Sequence, residues 1–94
     1  HATVEGGLSW PIQFNLVKSH IGAVFVKDCV WENGKLNNVP LGEGMVDKKF
    51  FTMLKEAKFT GPVSVHVEYL DHSKDKKVLG EAFRKDLGTL KTLL

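Results

Sequence analysis

The sequence predicts an α/β fold in the order helix, strand, helix, strand, helix, with its strands parallel. Three observations carry this. Two short β-branched runs, Gly22–Asp28 and Val63–Tyr69, are separated by a segment whose apolar residues recur at helical spacing. The first run is nearly all apolar, as expected of a strand covered on both faces of a parallel sheet. Strands joined through a helix are most simply parallel, in a right-handed crossover.

Taken in order, the chain opens with small residues around Gly6-Gly7. Ser9 then fits an N-cap, and Pro11 fits a first helical turn, where a missing N–H costs nothing. Ile12, Leu16 and Val17 continue a helix over residues 10–19. In the strand Gly22–Asp28, charge appears only at the C-terminal edge, as Lys27 and Asp28. Residues 29–45 read as a long loop. Within it Asn33-Gly34 is a strong turn signal, flanked by Val30-Trp31 and Lys35-Leu36 as a small hairpin, while Pro40, Gly42 and Gly44 keep the rest irregular. A loop of this length is more often functional than a plain connector. Asp47 caps a second helix with a stripe of Phe50, Phe51, Leu54 and Ala57, ended by Gly61-Pro62. Alternation in the strand Val63–Tyr69 is strict: Val63, Val65, Val67 and Tyr69 share one face, and Ser64, His66 and Glu68 the other. After a charged loop at 71–77, the last helix is expected to bury Phe83, Leu87, Leu90 and Leu94.

Composition bounds the function. The 94 residues make a single domain, 43% hydrophobic and 26% charged, as in ordinary globular proteins. A net charge of +2, from 13 Lys and Arg against 11 Asp and Glu, argues against nucleic acid or an anionic membrane as partner. No apolar stretch reaches the ~18 residues of a membrane span. A lone cysteine, Cys29, cannot form an internal disulfide and is read as a buried, inert thiol. With no basic-then-apolar leader at the N-terminus, the expected compartment is the cytoplasm. Two parallel strands leave both edges and much apolar surface uncovered, so a homo-oligomer is expected; four copies with two strands each would supply the eight strands of a barrel.

Several stretches carry a resemblance. Val24-Phe25-Val26-Lys27-Asp28-Cys29-Val30-Trp31-Glu32 resembles the seventh strand and following loop of the xylose-isomerase-like TIM barrels, the sugar phosphate isomerase/epimerase superfamily. Leu41-Gly42-Glu43-Gly44-Met45-Val46-Asp47 is similar to that family's Gly-x-Gly segment, Gly61–Tyr69 to its eighth strand, and Phe83–Leu87 with the leucine-rich end to its last helix. The resemblance spans almost the whole chain and implies a partial TIM barrel, residues 1–94 forming a single partial-barrel domain completed by oligomerisation.

The resemblance further implies a metal-dependent isomerase or epimerase acting on a sugar or sugar phosphate, with Mn²⁺, Mg²⁺, Co²⁺ or Zn²⁺ held by Glu, Asp, His and Glu from successive strands. The first two of these ligands have no counterpart in this chain. The strand-seven histidine position falls on Phe25, and the strand-eight glutamate position on His66, with Glu68 two residues on and on the same face. His1 matches a histidine three residues beyond the missing aspartate.

His66 and Glu68 are therefore the candidate metal ligands, and Lys27, Glu43 and His1 the candidate substrate-binding residues. Plainer alternatives stand beside them: a solvated strand face or a satisfied internal pair for His66 and Glu68, a surface ion pair for Lys27 and Asp28, a solvated loop acid for Glu43. Trp31 and its loop are expected to cover a pocket or a partner chain. The four histidines at 1, 20, 66 and 72 show no compact metal-binding spacing. A non-catalytic oligomeric binding or assembly module derived from such a barrel is the alternative function, and an inactive fragment the third.

Overall fold

A computed structural model describes residues 6–71 and 75–94; His1 and His72 fall outside them. The elements are α1 (Trp10–Val17), a 3₁₀ turn (Lys18–His20), β1 (Val24–Val26), β2 (Asp28–Glu32), β3 (Lys35–Val39), α2 (Lys48–Glu56), β4 (Val63–Val65) and α3 (Lys76–Leu93). The architecture is mixed α/β. The expected helix–strand alternation is present, with a hairpin inserted after the first strand.

β1 and β4 pair in parallel, Val24 opposite Val63 and Val26 opposite Val65. The first strand is shorter than its apolar run suggests. The chain leaves it at Lys27, and Asp28 begins β2 instead. The second is shorter too, although His66 N–H still donates to the Val26 carbonyl at 2.8 Å. The region expected to be a long loop is mostly hairpin: β2 and β3 pair antiparallel from Asp28–Val39 to Glu32–Lys35. Asn33 and Gly34 both take positive φ, 50° and 74°, the backbone of the tight turn that matches strand twist. Only residues 40–47 remain irregular.

Capping follows side-chain chemistry. The Asp47 carboxylate accepts the Lys49 N–H at 2.9 Å and starts α2, and Asp75 accepts the Lys77 N–H at 3.0 Å and starts α3. Ser9 occupies the cap position of α1 without a side-chain cap bond, leaving Pro11 as the local signal. α2 stops earlier than Gly61-Pro62. Lys58 turns left-handed (φ 55°), and Phe59 N–H closes back onto the Leu54 carbonyl.

The core lies on one face of the parallel pair, between it and the helices. Phe14, Val24, Val26, Phe51, Leu54 and Leu90 are its centre. Phe50 packs edge-on against both Trp10 and Phe14, which fixes α1 on α2. Two expectations are corrected. The first strand is not covered on both faces: Phe25 is 72% exposed, because nothing among the described residues packs on the side away from the helices. The stripe expected to be buried on the last helix is also displaced. Leu90 is buried, but Phe83, Leu87 and Leu94 are exposed, and Asp86 is buried at 2%. A hydrogen-bonded acid took a core position that apolar spacing alone assigns elsewhere.

Candidate functional site

The helix-free face of the parallel pair is where the candidate side chains meet. Register places Phe25 beside Ser64, and His66 and Glu68 follow just beyond the C-terminal end of β4. Lys27, at the C-terminal end of β1, reaches across: its Nζ donates to Glu68 Oε2 at 2.6 Å. His66 Nδ1 lies 3.2 Å from Glu68 Oε1. Asn38 Nδ2, from β3, donates to Glu68 Oε2 at 3.5 Å. One carboxylate thus joins a lysine just after β1, a histidine just after β4 and an asparagine of β3. The hairpin supplies Asn38, a partner that no signal in its local sequence marks.

Parallel strands side by side aim their C-terminal ends at a common point, and this is why residues 41 positions apart converge. Lys27 and Glu68 are about one quarter exposed and His66 about half, so the cluster is open to ligand. Next to it, between α1, β1 and residues 45–47, lies an open groove of about 390 Å³. Its walls are mostly apolar, Trp10, Phe14, Phe25, Met45 and Phe50, with Lys27 and His66 at the polar end. A mostly apolar concavity with a few convergent polar groups is the usual form of a small-molecule site.

Asp28 is a second feature, and it is not the surface ion pair expected of it. It is 1% exposed, and its carboxylate accepts four backbone N–H groups: Cys29 at 2.9 Å, Gly42 at 2.9 Å, Gly44 at 3.0 Å and Val46 at 2.9 Å. The bonds wrap residues 42–46 around one side chain and so shape the groove wall at Met45. Gly44 is tight against it; a Cβ there would collide with the Asp28 carboxylate and the Cys29 carbonyl. An acid closing an apolar strand, followed by a Gly-x-Gly loop rich in donors, was the available signal. Cys29 itself is buried, as its sequence context suggests.

Glu43 points elsewhere. It pairs with Lys85 on α3 at 2.9 Å, raising the Lys85 pKa, and does not join the Lys27–Glu68 cluster. Beneath that pair, the buried Asp86 carboxylate accepts from the Tyr69 hydroxyl and the Leu41 N–H, while its Oδ1 has no partner. Burial pushes the Asp86 pKa up against those two bonds. Burial first, then Asp86 itself, lifts the Tyr69 phenol to about 12. Trp31 is 48% exposed on the hairpin and takes no part in the groove wall.

Chemically, the cluster offers a carboxylate flanked by two nitrogen groups. His66 Nδ1 faces Glu68, so Nε2 is the ring nitrogen left for a ligand. Among the described residues there is no group of three or more His, Cys, Asp and Glu that could hold an ion, and the Lys27 ammonium sits on Glu68. No helix among the described residues is long and apolar enough to cross a membrane. Comparison with family models, with curated proteins and with solved structures finds no match to the chain.

Proposed function

We propose that this chain is a segment of a sugar or sugar-phosphate isomerase/epimerase barrel, presenting Lys27, His66 and Glu68 at the C-terminal mouth to a polyhydroxylated ligand. The observation that carries the proposal is the Lys27–Glu68 bond of 2.6 Å across the ends of two parallel strands, with His66 on the same carboxylate. Lysine donates to a hydroxyl, carbonyl or phosphate oxygen; the His66–Glu68 pair suits proton movement beside a carbonyl. Metal dependence belongs to the completed barrel, in which donors from other strands would join His66 and Glu68. A cytoplasmic location is part of the same proposal.

The test is an NMR titration of the whole chain with a ketose phosphate. Shifts confined to Lys27, His66, Glu68 and their groove neighbours are expected, with affinity falling at least about tenfold in Lys27→Ala and in Glu68→Gln, a loss of ~1.4 kcal/mol. Equal affinity in parent and variants would sink the proposal, as would no shift in the parent.

One observation favours a second function, a non-catalytic binding or assembly module. Phe25 stands where the family's strand-seven histidine is expected, and it is 72% exposed. Metal analysis separates the two: a stoichiometric divalent ion lost in His66→Ala belongs to the enzyme, and a metal-free stable oligomer to the module.

A further inference from the structure

We infer that residues 40–47 form a strap with two unlike anchors, a standing one on Asp28 and a proton-operated one on Asp86, so that the strap parts from α3 when the Asp86 carboxyl ionises. The inference does not rest on the sugar ligand. It starts from the way contacts alternate along the strap. Gly42, Gly44 and Val46 donate their N–H groups to Asp28, at 2.9, 3.0 and 2.9 Å. Leu41 and Glu43 turn the other way. Leu41 N–H donates to the Asp86 carboxyl, and the Glu43 side chain pairs with Lys85 at 2.9 Å. Gly42 lies so close to α3 that an added Cβ would sit 3.1 Å from the Thr89 methyl. The strap therefore meets α3 along one helical turn, residues 85–89, and meets β2 through a single carboxylate.

The two acids are equally buried, Asp28 at 1% and Asp86 at 2% exposed, but they are not equally served. Asp28 accepts four N–H groups, enough to replace the water that its charge has lost. Asp86 accepts two bonds, from Tyr69 and Leu41. Its buried Oδ1 has no hydrogen-bond partner among the described residues, so both bonds fall on the other oxygen. A dry oxygen that carries charge costs far more than a dry neutral hydroxyl, and the bare Oδ1 is where the proton belongs. The titratable groups that face Asp86 are Tyr69 from the segment after β4, Glu43 from the strap and Lys85 on its own helix. Lys85 is already paired with Glu43, and burial outweighs its attraction.

Ionised Asp86 is relieved when water reaches Oδ1. Above it the cover is the strap, fastened there by an exposed ion pair that contributes little. The sign follows from linkage. A carboxyl whose pKa is raised in the closed form favours closure below its ordinary pKa and gives that closure up between the ordinary value and the raised one. Only the α3 end of the strap is released. The end that bears Met45 stays on Asp28, so the groove wall stays formed.

The test is amide hydrogen exchange on the whole chain, read by NMR from about pH 4 to about pH 8 with the intrinsic chemical rate divided out. The Leu41 amide is expected to open more often as pH rises through the Asp86 titration, by up to about tenfold per pH unit, and then to level off. Gly42, Gly44 and Val46 are expected to keep their protection over the same range. In Asp86→Asn, where no proton can leave, Leu41 opening is expected to be independent of pH. A flat Leu41 profile in the parent overturns the inference, as does an equal loss at Gly42, Gly44 and Val46, or a pH dependence that survives in Asp86→Asn. The parent decides alone where the variant fails to fold. The carboxyl ¹³C shift of Asp86 is expected to titrate in the same pH window as the loss at Leu41, and titration in a separate window overturns the inference.

Discussion

Asp86 and Tyr69 show how one buried acid ties stability to pH. The folded chain holds the Asp86 pKa above the ordinary aspartate value, because burial outweighs the bonds from Tyr69 and Leu41. A carboxyl raised on folding adds stability below its unfolded pKa and loses it as pH rises through the folded one. Asp86→Asn removes the titration. The melting temperature of the variant relative to the parent is therefore expected to rise as pH climbs through the acid range; a flat difference contradicts the assignment. Tyr69 titrates at the other end. It is the sole tyrosine, and its phenol is pushed up to about 12, so its stabilising share persists at pH 10 and disappears toward 12. Phenolate absorbance in an alkaline titration reports this directly: an inflection near the ordinary value of 10 would show that Tyr69 is not held by Asp86. At Asp28 the chemistry is different, since four N–H groups converge on one carboxylate. Asp28→Ala leaves them without an acceptor and is expected to destabilise by about 3 kcal/mol or more in urea unfolding.

At the scale of elements, the ends of α2 show what local sequence can and cannot announce. Asp47 was legible as a cap because a short acceptor before a helical stripe has few other uses. The other end was not. Lys58 adopts φ 55°, a conformation that favours glycine, and no residue type advertised it. Lys58→Gly is therefore expected to stabilise the chain by about 0.5–1 kcal/mol, read as a higher denaturant midpoint; an unchanged or lower midpoint would mean the Lys58 side chain contributes packing of its own. The hairpin was half legible. Asn33-Gly34 marked its turn, but the flanking Trp31-Glu32 and Lys35–Asn38 lack clean alternation, so the strands extend further than pattern implies. The last helix misled for a physical reason. Apolar spacing identifies a stripe, and Phe83, Leu87 and Leu94 do form one, but the buried side carries Asp86 and Leu90, with Asp86 bonded to Tyr69 and Leu41. Of the site, Lys27, His66 and Glu68 were legible from strand position, whereas Asn38 and the Asp28 cage required knowing where the hairpin and loop return.

For the whole molecule, shape is the telling property. The Cα radius of gyration is 14.0 Å and the extents are 39 × 32 × 19 Å, against ~12.4 Å for a compact chain of this length. A slab of this kind has helices on one face of its sheet and Phe25 bare on the other. Local pattern correctly implied parallel strands, but not that Val24 and Val26 would be buried while Phe25 between them stays open, because that depends on what lies across the sheet. Stability of such a slab should depend on its neighbours. If association with copies covers the exposed flanks, the assembled form gains free energy with concentration, by up to about 2.7 kcal/mol for a hundredfold change. In a chain near 100 residues each kcal/mol moves the midpoint by ~4–8 °C, so melts recorded a hundredfold apart in concentration should differ by up to about 10–20 °C. Phe25→Ser should not abolish that dependence, because the helix flanks and strand edges that make the contact are untouched. A midpoint that ignores concentration would mean the slab is stable alone, with its bare face and open edges left to water.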